Sequence, residues 1–274
     1  MRGVVAVLVL VATSGCLGND KDSGGDDPLQ PGPTASQAFD VELALTGCRE
    51  AVVMFLISPE QAQSVLPPGF TAGDASSLLE LPVPTGQAGV LVGTTQCTAS
   101  ALGPEGHDEG PVSVTVLPPN VPGDRPPAAN LYEVGRSTGT PAFAELLRSV
   151  NWTLIGDSTT VAVDAPPAAE GTGRIEAGGV GVVSIDVPLA PHEQLIEGTF
   201  RWWHASEAGL SYIDYTFASP YYVGPAQCTL AAGSLPAQLV GATSCSGAPS
   251  IGFVTTDLGD AHVDFHHLGS VEGF

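Results

Sequence analysis

Short bursts of alternating apolar and polar residues, separated by Gly and Pro, dominate the chain from residue 39 onward. Eight runs have the β-rich composition of strands, and several of them the two-residue period of half-buried ones: 41–47 (VELALTG), 51–57 (AVVMFLI), 88–94 (AGVLVGT), 112–117 (VSVTVL), 159–163 (TTVAV), 180–187 (VGVVSIDV), 210–217 (LSYIDYTF) and 251–255 (IGFVT). Two helix starts interrupt them. Ser58-Pro59-Glu60 sets an N-cap residue, a proline at the first helical position and an acid in the first turn ahead of QAQSVL. Thr140-Pro141 opens AFAELLRS in the same way. No repeat is visible and no Pro/Ser-rich linker divides the stretch, so the pattern predicts one α+β domain, mainly antiparallel, over 38–274.

Ahead of that domain the pattern changes twice. Residues 3–13 form a mostly apolar run behind the single charge of Arg2. The run is shorter than the roughly 20 residues of a bilayer span and suits a signal-peptide core. It ends in TSGC, which resembles the lipobox of prokaryotic lipoproteins, with Thr13 where leucine is usual. On that reading residues 1–15 are removed, Cys16 is lipidated and the partner is a membrane, with the domain outside the cytoplasm. The alternative is an ordinary secretory signal with an incidental cysteine. Residues 16–37, rich in Asp, Gly, Pro and Ser, have almost nothing to bury and read as a flexible tether.

The net charge is −21 over 274 residues, with one lysine (Lys21) and seven arginines. Such a surface repels phosphate backbones and argues against nucleic-acid binding. Setting Cys16 aside leaves four cysteines, Cys48, Cys97, Cys228 and Cys245, an even number suited to an oxidising compartment. Three pairings are possible. Cys48–Cys97 with Cys228–Cys245 joins neighbours along the chain and is the pairing expected.

Two segments carry a family resemblance. In CREAVVMFLISPEQAQSVLPPGF (48–70), Arg49-Glu50 leads into a strand, a short helix and a Leu-Pro corner. In VGRSTGTPAFAE (134–145), Gly135, Arg136 and Pro141 match a Gly-Arg-Glu…Pro-Lys-Lys pattern. Together they resemble the acetoacetate decarboxylase superfamily, with a weaker echo at 224–239. The resemblance implies a mainly antiparallel barrel or cone with a few short helices. It also shows what is missing. Ala142 occupies the family's lysine position and Phe143 that of its neighbour, so the amine that forms a Schiff base with a β-keto acid is lacking. No lysine follows Lys21, so no shift of alignment supplies one. The resemblance further implies a cavity in which Arg49 and Arg136 bind a carboxylate or carbonyl, and it sets Glu105, or failing that Glu109, roughly where the family has a catalytic carboxylate.

Other constellations are weaker. HVDFHH (262–267) puts His262, Asp264 and His266 on one strand face; near the C-terminus it reads as the outward face of an edge strand, and no metal is expected. FRWWHASEAGLSYIDYTF (200–217) gathers aromatics that either form core or line a ligand cavity. Asn151-Trp152-Thr153 is a glycosylation sequon. No Walker loop or dinucleotide fingerprint occurs, so no cofactor is expected. The function expected is binding of a small, partly apolar ligand. The rivals are an enzyme that reuses the cavity for acid–base chemistry (hydration, lactonisation or hydrolysis) and a surface structural module.

Overall fold

The structure is a computed structural model. It describes residues 37–78, 83–102, 106–121, 129–156, 161–164, 172–177, 182–188, 193–255, 258, 261–271 and 274, and between 161 and 194 it describes backbone pairing alone. Cys16, Glu105 and the start of the expected 159–163 strand lie outside the described residues.

The two apolar runs expected at 41–47 and 51–57 are one strand, β1 (Phe39–Ile57). It continues through Gly47, which adopts φ +62°. One edge of β1 pairs antiparallel with β2 (Ala88–Ser100), from Leu45↔Ser100 to Ile57↔Ala88. The other edge is shared. β13 (Ala261–Gly269) takes the first half, Phe39↔His267 to Leu45↔Ala261, and β12 (Ser250–Thr255) takes the second, Glu50↔Thr255 to Phe55↔Ser250. On their far side both strands pair with β10 (Gly209–Gly224). β10 continues antiparallel to β9 (Glu193–Ser206), β9 runs parallel to β4 (Ala129–Thr138), and β4 and then β2 flank β3 (His107–Thr115) in antiparallel register. The sheet therefore closes into a ring. β13 is an interior strand of that ring, and the expected edge position is corrected: its alternation still sends His262 and His266 outward, but onto Asp264 (3.2 Å) and Asp40 (2.6 Å).

Leu43 and Leu45 (β1), Leu131 (β4), Ile213 (β10), and Val263 and Phe265 (β13) meet inside the ring. α2 (Pro141–Ser149) and the turn after it add Phe143, Leu147 and Trp152 to this packing. The opposite face of β1–β2–β3 is buried as well. Ala51, Val53, Phe55, Val90, Val92, Val112 and Val114 pack under α1 (Pro59–Gln63) and α3 (Leu235–Val240). Burial on two faces explains why these runs read as nearly continuous apolar stretches. A second sheet has the order β11 (Gln227–Leu230), β8 (Val182–Pro188), β7 (Thr172–Ala177), β6 (Val161–Asp164). Cys48–Cys97 bridges β1 and β2, and Cys228–Cys245 ties β11 to a short 3-10 turn, the pairing expected from chain order. Two disulfides fit an oxidising compartment. Among the described residues no helix is long and apolar enough to cross a membrane.

Candidate functional site

Inside the ring the charged residues are set by two irregularities of the strands. The first is in β4. Residues three apart on a regular strand face opposite ways. Opposite Val112 and Ser113 the register slips from Gly135 to Glu133, leaving Val134 as an extra residue. This bulge brings Glu133 and Arg136 to the same face. Gly135 is needed there, because a Cβ would sit 2.5 Å from Ile155 Cγ2 of β5 (Leu154–Gly156), which pairs parallel with β4.

The result is a buried ionic cluster. Arg136 Nε donates to both oxygens of Glu133 (2.8 and 3.0 Å), and Nη1 donates to Glu109 of β3 and to the Tyr215 hydroxyl of β10 (3.0 Å). Tyr215 in turn donates to Glu109, and Trp152 Nε1 donates to Glu133 (2.6 Å). The guanidinium carbon lies 5.6–5.9 Å from the ring centres of Phe143, Trp152 and Tyr215. His107 Nε2 sits 3.3 Å from Glu109 outside hydrogen-bonding geometry, while its Nδ1 meets Thr140 Oγ1 at 3.2 Å. Burial alone would raise the Glu109 carboxyl, but Arg136, with His107 and Tyr215, pulls it down to about 2. Burial likewise opposes the charge on Arg136, and the two glutamates outweigh it, holding the guanidinium firmly ionised.

The second irregularity is Gly47. Leu43 and Leu45 are buried before it; after it Cys48 is buried, Arg49 is exposed and Glu50 turns inward. The Glu50 carboxyl accepts from Thr95 Oγ1 (3.1 Å) and from the Tyr221 hydroxyl. Burial raises its pKa above the ordinary carboxylate range; Tyr221 and Thr95 offset part of this, and the charge on Glu109 adds to it. Glu50 borders a cavity of about 50 Å³, otherwise lined by Val52, Met54, Leu91, Ile196, Phe200, Trp202, Phe217, Tyr221 and Phe253. The indole N–H of Trp202 is buried and has no acceptor among the described residues. Among the described residues the lining contains no Lys, Arg or His.

The sequence matches no protein-family profile, and no curated protein matches it significantly. Solved structures match its backbone. The enduracididine biosynthesis enzyme MppR with HEPES buffer bound aligns at a TM-score of 0.51 and 13% identity, covering 88% of this chain and 89% of that one. MppR complexed with pyruvate aligns at 0.50 and 13%, over 85% and 89%. An acetoacetate decarboxylase-like enzyme from Sphingomonas wittichii RW1 aligns at 0.51 and 12%, over 91% of this chain and 100% of the other. The chain has an acetoacetate decarboxylase-like fold.

Within the acetoacetate decarboxylase-like fold the expected site residues separate. Arg136 is fully buried but lies outside the cavity lining, its donors directed to Glu109, Glu133 and Tyr215. Arg49 is exposed and is not brought to Arg136. Ala142 is exposed too, while Phe143 is fully buried beside Arg136 and His107. An inward-pointing amine on this loop would therefore stand at 143 and not at 142. Glu109, the second choice for a carboxylate, belongs to the ionic cluster. The aromatic segment divides by strand alternation: Phe200, Trp202 and Phe217 line the cavity, while Trp203 packs on the opposite face with Phe70 and Tyr132. In the sequence Glu50 stands out only as part of the Arg-Glu motif, and no motif there points to Glu133 or Tyr221. The signal for Glu50 was an acid followed by seven apolar residues, a poor place for an unpaired charge.

Proposed function

We propose that this protein is a lipid-anchored, extracytoplasmic binding protein that holds a small, largely apolar molecule in the lumen of its ring and does not decarboxylate β-keto acids. The observation that carries the reading is the cavity, whose walls are aliphatic and aromatic apart from the Glu50–Tyr221 pair and the unpaired Trp202 N–H. A few convergent polar groups on an apolar wall are the usual make-up of a small-molecule site. MppR is known complexed with pyruvate, a keto acid. Here the cavity lining offers no cation to a carboxylate, and the lysine needed for a Schiff base is missing from the whole domain. The TSGC sequence before the tether supports the anchor, and the two disulfides support export.

The test is native mass spectrometry of the full chain, released gently from its source membrane. A small molecule that survives desalting, and whose occupancy falls in Trp202→Phe, is the expected result. An empty protein under conditions that keep it folded would defeat the reading. One observation favours a second function, an enzyme using Glu50 as a general acid for hydration, lactone opening or hydrolysis: its carboxyl borders the cavity and holds its proton above the ordinary range. In that case Glu50→Gln retains the co-purified molecule unchanged, while wild type converts it.

A further inference from the structure

The charge carried by the ligand follows from a count of the groups inside the ring, and this step rests on the binding reading above. Among the described residues, three carboxyl groups, Glu50, Glu109 and Glu133, share the interior with one guanidinium, Arg136, and with the His107 imidazole beside Glu109. Arg136 is committed to Glu109 and Glu133. The partners of Glu50 are two hydroxyls, Thr95 and Tyr221, both donating. Two donors aimed at a carboxyl prepare its ionised form, yet neither supplies a counter-charge. The wall facing it is aromatic: Phe200 and Phe217 stack at 5.2 Å, Tyr221 lies 6.0 Å from Phe217, and Trp202 lies 6.1 Å from Phe200. Ring faces carry partial negative charge and attract cations, more strongly where water is excluded.

We propose that the lumen selects a small organic ammonium ion, its charge paired with Glu50 and its alkyl groups packed against Phe200, Trp202, Phe217 and Tyr221. An anion would meet a carboxyl on an aromatic wall with no cation among its described lining residues, and a neutral molecule would leave Glu50 without a counter-ion. An inorganic cation would give up its hydration shell for a single carboxylate, whereas alkylammonium is already partly apolar.

The experiment measures binding of three probes of similar shape to the full-length protein in mild detergent, by ligand-observed NMR: tert-butylammonium, tert-butanol and pivalate. The ammonium is expected to bind about tenfold more tightly than the alcohol, with pivalate weakest. Glu50→Gln, close in volume, removes that tenfold preference of the ammonium over the alcohol. In wild type the ammonium affinity falls as pH drops through the titration of Glu50, and the alcohol affinity does not. Tyr221 and Thr95 bond Glu50 directly, and the charge of Glu109, two strands away and held by Arg136, Tyr215 and His107, acts on it through space. Protonation of Glu109 would act at a lower pH, and loss of the effect in Glu50→Gln separates the two. Equal binding of ammonium and alcohol, or a preference for pivalate, overturns the selectivity and leaves the lumen-binding reading standing. Silence from all three probes overturns the selectivity as well; together with an empty native mass spectrum it overturns both.

Discussion

Taking a guanidinium out of water costs several kcal/mol, and a partner stranded by its loss costs as much again. Arg136 meets that cost with two carboxylates, a tyrosine hydroxyl and three ring faces. Arg136→Ala leaves Glu109 and Glu133 buried without a cation, and we expect a loss of about 3–5 kcal/mol in urea unfolding. Arg49→Ala, at an exposed position, should cost less than about 1 kcal/mol. Equal costs would mean that Arg136 is not the keystone of the cluster. Glu109 and Glu50 act on stability with opposite signs. Glu109, held down to about 2, contributes stability that is present above the ordinary carboxylate pKa and lost as pH falls towards 2. Glu50 is raised, so its contribution is present below the ordinary carboxylate range and lost as pH rises through its own titration. Glu50→Gln is therefore expected to melt higher than wild type at pH 8, with the gap shrinking towards pH 4. A gap that stays constant between those two pH values would show that Glu50 does not titrate as its surroundings dictate.

At the scale of strands and helices, the capping residues were good guides. Ser58 accepts the Gln61 N–H at 3.1 Å, and helices begin at Pro59 and Pro141 as expected. Thr140 differs in its chemistry. Its hydroxyl makes no cap hydrogen bond and instead accepts from the Asp108 N–H (3.1 Å) and meets His107. β1 shows what sets Arg49 outside: counting by two from Leu43 and Leu45 would send residue 49 inward, and the positive φ of Gly47 reverses the count. A glycine inside a strand signals a bend, but not which face follows it. β4 escaped notice because it is buried almost throughout and polar at Glu133, Arg136, Ser137 and Thr138, so apolar alternation is missing where ionic pairing takes its place. The bulge at Gly135 offers a direct test. Gly135→Ala should cost about 1–3 kcal/mol through the clash with Ile155. Trimming the neighbour in Gly135→Ala/Ile155→Ala should recover part of it, giving a total below the sum of the single changes. Strict additivity in thermal unfolding would remove the clash as the cause.

For the molecule as a whole, the two segments that carried the family resemblance meet in space. The first forms β1 and its corner, the second the β4–α2 connection, and they deliver Glu50, Arg136 and Phe143 to one interior. The fold was legible because those segments form the frame of the ring. The chemistry was less so, because charge balance in a lumen depends on groups more than 100 residues apart, such as Tyr215 and Glu109. The anchor is tested on the intact cell: Cys16→Ser should move the protein from the membrane to the soluble fraction and abolish incorporation of labelled palmitate. Retention of label would place the lipid elsewhere. The pairing of β1 with β13 has a further consequence, one of timing. The strand that opens the domain hydrogen-bonds to the strand that ends it, from Phe39↔His267 to Leu45↔Ala261. Such high contact order makes folding slow. β12 already joins β1 to β10 in one half of the ring, but the half around Phe39–Leu45 stays open until β13 is in place, so that strand acts as the latch that completes the lumen.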